Sequence, residues 1–191
     1  WFFMLTDGAL RMIVLLHFHT LGYTPLQLAY LFLLYEFFGM ITNITAGWIA
    51  KKIGLNITLF TGIILQIVSL LLLTQLDKSW SITTSVIFVM ATQGVSGVAK
   101  DLTKMSSKSS VKLLALDKNN KLFQWVTLMT GSKNVVKGFG FLLGSLLLAF
   151  LGFQLSLILM AGLLSIILIL VFVYLNNEFS VLKLSFVYLC T

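Results

Sequence analysis

Gln93 to Gly144 reads QGVSGVAKDLTKMSSKSSVKLLALDKNNKLFQWVTLMTGSKNVVKGFGFLLG. An apolar, small-residue segment leads into a lysine-rich stretch from Lys100 to Lys121, and a second apolar segment follows. Inside that second segment Lys133 and Lys137 stand four residues apart, which puts them on one face of a helix. A positive charge in hydrocarbon is costly and normally faces a water-filled cavity or a partner. The pattern predicts two membrane-embedded helices joined by a basic polar loop, with a path for something anionic along the second.

Composition agrees. Of 191 residues 59% are hydrophobic and 10% are charged, against about a quarter charged in a soluble domain. Repeated apolar runs near 20 residues place the chain among all-α, polytopic membrane proteins. The net charge of +7 could suggest nucleic acid, but most of the lysines fall between the apolar runs, where membrane topology accounts for them. The single Cys190 leaves no intrachain disulfide or thiolate metal site. Trp1 begins inside an apolar run with no basic region before it, so no secretory leader is expected.

Working outward, six spans are expected: about Trp1 to Thr20, Leu26 to Ala50, Ile57 to Leu76, Ser81 to Ala99, Leu122 to Phe150 and Phe153 to Leu175. Residues 1–175 form the transmembrane unit and 176–191 a tail or truncated linker, for which the sequence offers no physical account. Gly47 to Asn56 reads as a tight connection carrying Lys51 and Lys52. The fourth-to-fifth connection carries Lys100, Lys104, Lys108, Lys112, Lys118 and Lys121, whereas the opposite side shows Lys78. Positively charged loops stay cytoplasmic, so the chain is expected to be a multi-pass protein of the cell's inner (plasma) membrane with its N-terminus in the cytoplasm.

The intramembrane charges are the candidate site. Asp7 and Arg11, four apart, can pair on one face of the first span, either as a structural lock or as a substrate contact. Arg11 is the chain's one arginine, and its planar fork suits a phosphate-like or carboxylate anion. Glu36, mid-span, could carry protons or bond a neighbouring helix. Lys133, Lys137, Gly140 and Gly144 share a face, two cations followed by two small residues that permit close helix approach. Asn134 adds a polar group there, and Gln93 with Gly94 and Gly97 suggests a helix interface or cavity lining. His17 and His19 lack a third metal ligand, and no nucleophile–base pair appears at recognisable spacing. The chain therefore reads as a non-enzyme without cofactor or metal.

The order of spans, the inside N-terminus and the basic middle connection resemble the N-terminal half of a major facilitator superfamily transporter. Gly47-Trp-Ile-Ala-Lys51-Lys52-Ile-Gly54-Leu-Asn is similar to that superfamily's G-x-x-x-D-R-x-G-R-K loop, with the glycines matched and lysines at the acidic and arginine positions. The resemblance implies a conformational role for Gly47, Lys51, Lys52 and Gly54, with the charge-relay latch altered. Gly138-x-Gly140-x-x-x-Gly144 is loosely similar to an antiporter motif without its proline.

Thr6-Asp-Gly-Ala-Leu-Arg11, Ala99-Lys-Asp-Leu-Thr-Lys-Met-Ser-Ser-Lys108 and Thr130-Gly-Ser-Lys-Asn134 resemble the organoarsenical-efflux (ArsJ-like) branch. That resemblance implies a proton-coupled exporter of 1-arseno-3-phosphoglycerate, functionally linked to glyceraldehyde-3-phosphate dehydrogenase. It also implies six of about twelve spans, with a C-terminal half or second copy to complete them. Substrate-binding Arg11, Lys133, Lys137, Asn134 and Gln93, and proton-coupling Glu36 and Asp7, are the expected site. Carriage of another small phosphorylated or carboxylate anion, and a non-transporting membrane accessory subunit, are the alternatives.

Overall fold

A computed structural model describes the backbone of residues 1–77, 80–116 and 122–189, and side chains within 1–77, 80–109, 127–128 and 130–173. Lys78, Lys118, Lys121 and Cys190 lie outside the described residues. Every regular element among those described is helical: α1 (Phe2–Thr20), α2 (Pro25–Ile53), α3 (Leu55–Thr74), α4 (Ile82–Leu116) and α5 (Leu122–Leu189). Five helices are long and apolar enough to cross a membrane, the last over Thr130–Val173.

Local chemistry sets the breaks. Thr24 caps α2 in a capping box with Gln27, and Pro25 opens the helix where its missing N–H costs nothing. The expected connection from Gly47 to Asn56 is much shorter than the sequence suggested. Helix α2 continues through Ile53 and α3 starts at Leu55, with Gly54 alone between them. Gly54 has φ 103° and ψ 150°, a region essentially reserved for glycine.

Gly152 does the same within α5, at φ 75° and ψ −179°. The six separate runs expected are thus five continuous elements, the last two joined at Gly152. Contacts on either side of it point opposite ways. Up to Gly152, α5 runs alongside α1, from Trp1 bonded to Ser132 at one end to His17 stacked on Phe153, the residue just past the glycine, with centroids 4.0 Å apart. Beyond it, Gln154 approaches the carbonyl of Thr74 at 3.5 Å and Phe172 meets Phe60, so this segment runs against α3. The 44 residues from Thr130 to Val173 would measure about 66 Å as one straight helix, roughly twice the hydrocarbon thickness.

The polar loop expected over Lys100 to Lys121 is corrected as well: α4 stays helical to Leu116. Three of its described hydroxyls are satisfied on the helix or on α3. Thr103 and Ser107 donate to carbonyls four residues back, and Ser106 donates to the Leu55 carbonyl at 2.5 Å. A polar segment with its bonds met in this way can remain helical against a neighbour.

The main core draws on all five helices, with Leu10, Ile13 and Phe18 of α1 and Leu157, Met160 and Leu164 beyond Gly152 joined by Leu31 of α2, Leu70 of α3 and Val89 of α4. Glycines set the closest approaches. A Cβ at Gly144 would come 2.8 Å from Ala9 Cα, and one at Gly8 would come 2.7 Å from the Lys137 carbonyl oxygen. The small face predicted on α5 therefore packs on α1. Large apolar side chains such as Leu33, Met40, Ile44 and Phe150 cover the outside, as contact with lipid or another apolar surface requires.

Candidate functional site

Tyr35 is the hub of the site, and the sequence reading missed it. Its side chain is completely buried, and its hydroxyl donates to Asp7 Oδ1 at 2.5 Å. Two cations lie on its ring: Arg11 Cζ 4.1 Å and Lys100 Nζ 4.4 Å from the centroid. A ring face attracts cations through its quadrupole, most strongly where water is excluded. Tyr35 reaches this position because Gly97 on α4 lies against its backbone; any Cβ there would overlap the Tyr35 carbonyl.

The expected Asp7–Arg11 pair does not form. Arg11 Nη2 donates instead to Glu36 Oε1 at 2.6 Å. Asp7 is held by Tyr35, and its second oxygen, Oδ2, is buried without a partner among the described residues. Both residues remain on one face of α1, but α2 presents a phenol to the first and a carboxylate to the second. Arg11 therefore links two helices rather than closing a local pair within one.

Glu36 also has Lys100 Nζ 3.9 Å from Oε2. Lys100 in turn lies 4.0 Å from Asp101, which accepts from Lys104 at 3.3 Å. Gly39 makes room for Asp101, since a Cβ there would come 2.8 Å from Oδ2. The Glu36 side chain is 61% exposed and that of Arg11 21%. The pair thus sits at the edge of an open face, with Tyr35 and Asp7 behind it.

Lys137 completes the group from α5. Its stem lies against Gly8, and the charges that act on it are Arg11, Asp7, Lys100 and Glu36. Around Tyr35, then, Arg11, Lys100 and Lys137 meet Asp7 and Glu36, leaving one positive charge in excess. Such a cluster can accept an anion, because an incoming oxyanion can replace Glu36 on the guanidinium.

The remaining expected residues lie apart from this cluster. Lys133 shares a helix face with Lys137, but the charges acting on it are Lys104 and Lys108. Asn134 is exposed. Gln93 is fully buried with neither amide atom partnered among the described residues, and Gln66 on α3, also fully buried, accepts from Ser96 on α4 at 2.7 Å. Gly47, Lys51 and Lys52 occupy the exposed last turns of α2, where Lys52 Nζ stands 5.2 Å from the centroid of Trp48.

Tyr35, Lys100 and Asp101 are the residues the sequence reading overlooked. The signal was present in the three-residue step from Gly94 to Gly97 and the four-residue steps of Lys100, Lys104 and Lys108, which continue one helical face. A cavity of about 930 Å³ lies elsewhere, among His17, Tyr23, Asp77, Trp80, Phe153 and Gln154. Among the described residues, no group of three His, Cys, Asp or Glu side chains could hold a metal ion.

A family model described as Major Facilitator Superfamily matches residues 1–184. The chain belongs to the major facilitator superfamily. Comparisons with curated proteins and with solved structures gave no match. Membership makes this a membrane transporter fold of several spans in a lipid bilayer, suited to a small substrate, in a family of transporters rather than enzymes. The match also extends into the segment beyond 175 expected to be a tail.

Proposed function

We propose that this chain is the six-span, N-terminal half of a twelve-helix carrier that exports a small organic anion by alternating access. The observation that carries the reading is the excess of cations about Tyr35, held by four helices midway along α1. The reversal at Gly152 supports two spans within α5. The gathering of Lys51, Lys52, Lys104 and Lys108 toward the end of the bundle where α1 begins supports a cytoplasmic N-terminus in the inner (plasma) membrane. A C-terminal half or a second copy would cover the open face at Glu36.

In the proposed cycle Arg11 and Lys137 contact the anion, with Lys100 joining them. The Arg11–Glu36 pair is the gate to the site. A proton taken up by Glu36 weakens its hold on the guanidinium, and the anion takes the vacated donors. Release of the anion lets Glu36 lose the proton and return to Arg11. Asp7, with one oxygen unpartnered, is the second proton-coupling candidate. Gln93 lines the interior, Asn134 and Lys133 serve the approach, and Gly54 with Gly47, Lys51 and Lys52 accommodates the movement between α2 and α3.

The resemblance to the organoarsenical-efflux branch makes 1-arseno-3-phosphoglycerate the proposed substrate, formed through glyceraldehyde-3-phosphate dehydrogenase. The same three cations would also serve another phosphorylated or carboxylate anion. The test is arsenate resistance and uptake into everted vesicles, with the dehydrogenase co-expressed and the chain supplied together with a C-terminal half. Uptake lost in Lys137→Gln is expected. Intact uptake in that variant would remove Lys137 from the anion path. Robust uptake of phosphorylated acids without arsenate resistance would favour the other-anion reading.

A further inference from the structure

Lys100, Lys104 and Lys108 recur every four residues on α4, one lysine per turn of the same face. Lys133 and Lys137 do the same on α5, running in the opposite order along the bundle. The two rows pair off. Lys137 is acted on by Lys100 together with Arg11, Asp7 and Glu36, and Lys133 by Lys104 and Lys108. The first rung is therefore balanced by carboxylates, and the second nearly lacks them. Asp101, already bonded to Lys104 at 3.3 Å, is the carboxylate nearest that rung in sequence.

Lys133 carries the clearest mark. Its Nζ is closed off from solvent and donates no hydrogen bond to any described residue. An ammonium has three donors, and leaving all of them unmet away from water is unfavourable. Lys104 and Lys108 add two further cations beside it, and the three repel one another, so the arrangement is suited to an anion with several acceptor oxygens. The bond from the Trp1 indole to Ser132 Oγ, 2.8 Å, pins the start of this part of α5 to α1 next to Lys133.

We infer that Lys133, Lys104 and Lys108 form a second anion station, one helical turn from the Arg11–Glu36 centre and toward the end of the bundle where α1 begins. Its ligand is a phosphate-class group bearing at least two anionic oxygens. A phosphorylated solute and an anionic phospholipid headgroup share that chemistry. The station is a binding site whether or not the chain transports, so the test reads binding alone.

The protein is placed in nanodiscs of phosphatidylcholine and titrated with inorganic phosphate, followed by isothermal calorimetry. Saturable binding is expected, weakened about tenfold in Lys133→Gln and several-fold in Lys108→Gln, with Lys133→Arg close to wild type. Lys108 is exposed, so its variant reports on the station without disturbing packing. Nanodiscs containing phosphatidylglycerol separate the sources. If that lipid weakens phosphate binding in wild type but not in Lys133→Gln, the headgroup occupies the station. If it weakens neither, the ligand is a soluble phosphate. Equal phosphate affinity in wild type, Lys133→Gln and Lys108→Gln would overturn the inference. So would binding lost in Arg11→Gln and retained in Lys133→Gln, or no saturable binding in the neutral lipid.

Discussion

Gly97→Ala tests the packing on which the site depends. One added carbon would overlap the Tyr35 carbonyl oxygen and stand 3.0 and 3.1 Å from the Tyr35 carbonyl carbon and Cα. Those are backbone atoms, so no rotamer can relieve the overlap. Ordinary carbon contacts are about 3.5–4.0 Å, so α4 and α2 must separate by on the order of 1 Å. Overpacking of this kind costs about 1–3 kcal/mol. For a chain of this length, 2 kcal/mol corresponds to a fall of roughly 4–8 °C in melting temperature. The protein then remains folded at 25 °C, but Tyr35 shifts relative to Asp7, Arg11 and Lys100. A 1 Å misplacement of interacting groups can cost about a hundredfold in rate, so uptake should fall far more than the folded fraction. The assay pairs thermal unfolding in detergent with vesicle uptake at 25 °C. Gly162→Ala is the control, since a Cβ there meets nothing within 4 Å and alanine is the better helix former by up to about 1 kcal/mol. A Gly97→Ala protein with unchanged melting temperature and uptake would refute the close approach of α2 and α4.

Tyr35→Phe removes the donor to a buried carboxylate that already lacks a partner on its other oxygen. A loss of about 1–3 kcal/mol is expected, read as a lower melting temperature, and an unchanged value would show that Asp7 finds another donor. Gly54→Ala and Gly152→Ala each force a Cβ into backbone geometry that costs of order 1–3 kcal/mol; thermal unfolding should register both, although neither glycine has a neighbour to clash with. Arg11→Lys keeps the charge but loses the planar fork that meets Glu36, so anion uptake should drop with little change in stability, and full uptake would show that charge alone suffices. Glu36→Gln leaves Arg11 available to an anion, and uptake should stop responding to an imposed proton gradient. A response equal to wild type would take Glu36 out of the coupling.

Much of this protein is decided by composition and local pattern. Apolar runs of about twenty residues must be helices in a bilayer, because no other open element satisfies its own backbone there. Thr24-Pro25 with Gln27 is a local helix-start signal, and α2 begins there. The four-residue spacing of Lys133 and Lys137, continued by Gly140 and Gly144, puts cations and small residues on one face, and that face does meet α1. Spacing cannot say which group the neighbouring helix presents. Asp7 and Arg11 satisfy the rule for a pair within one helix, yet Tyr35 and Glu36, 28 and 25 residues away, take one each. By charge alone, the lysines after Ala99 read as a loop. Packed on α3, with Ser106 bonded to Leu55 and Asp101 seated beside Gly39, the chain stays helical to Leu116 and carries Lys100 onto the Tyr35 ring. Local chemistry thus settled where α2 begins, where Gly54 and Gly152 break the chain and which residues share a face. The site itself, a phenol between two cations and an arginine shared across helices, exists because α1, α2, α4 and α5 converge on it.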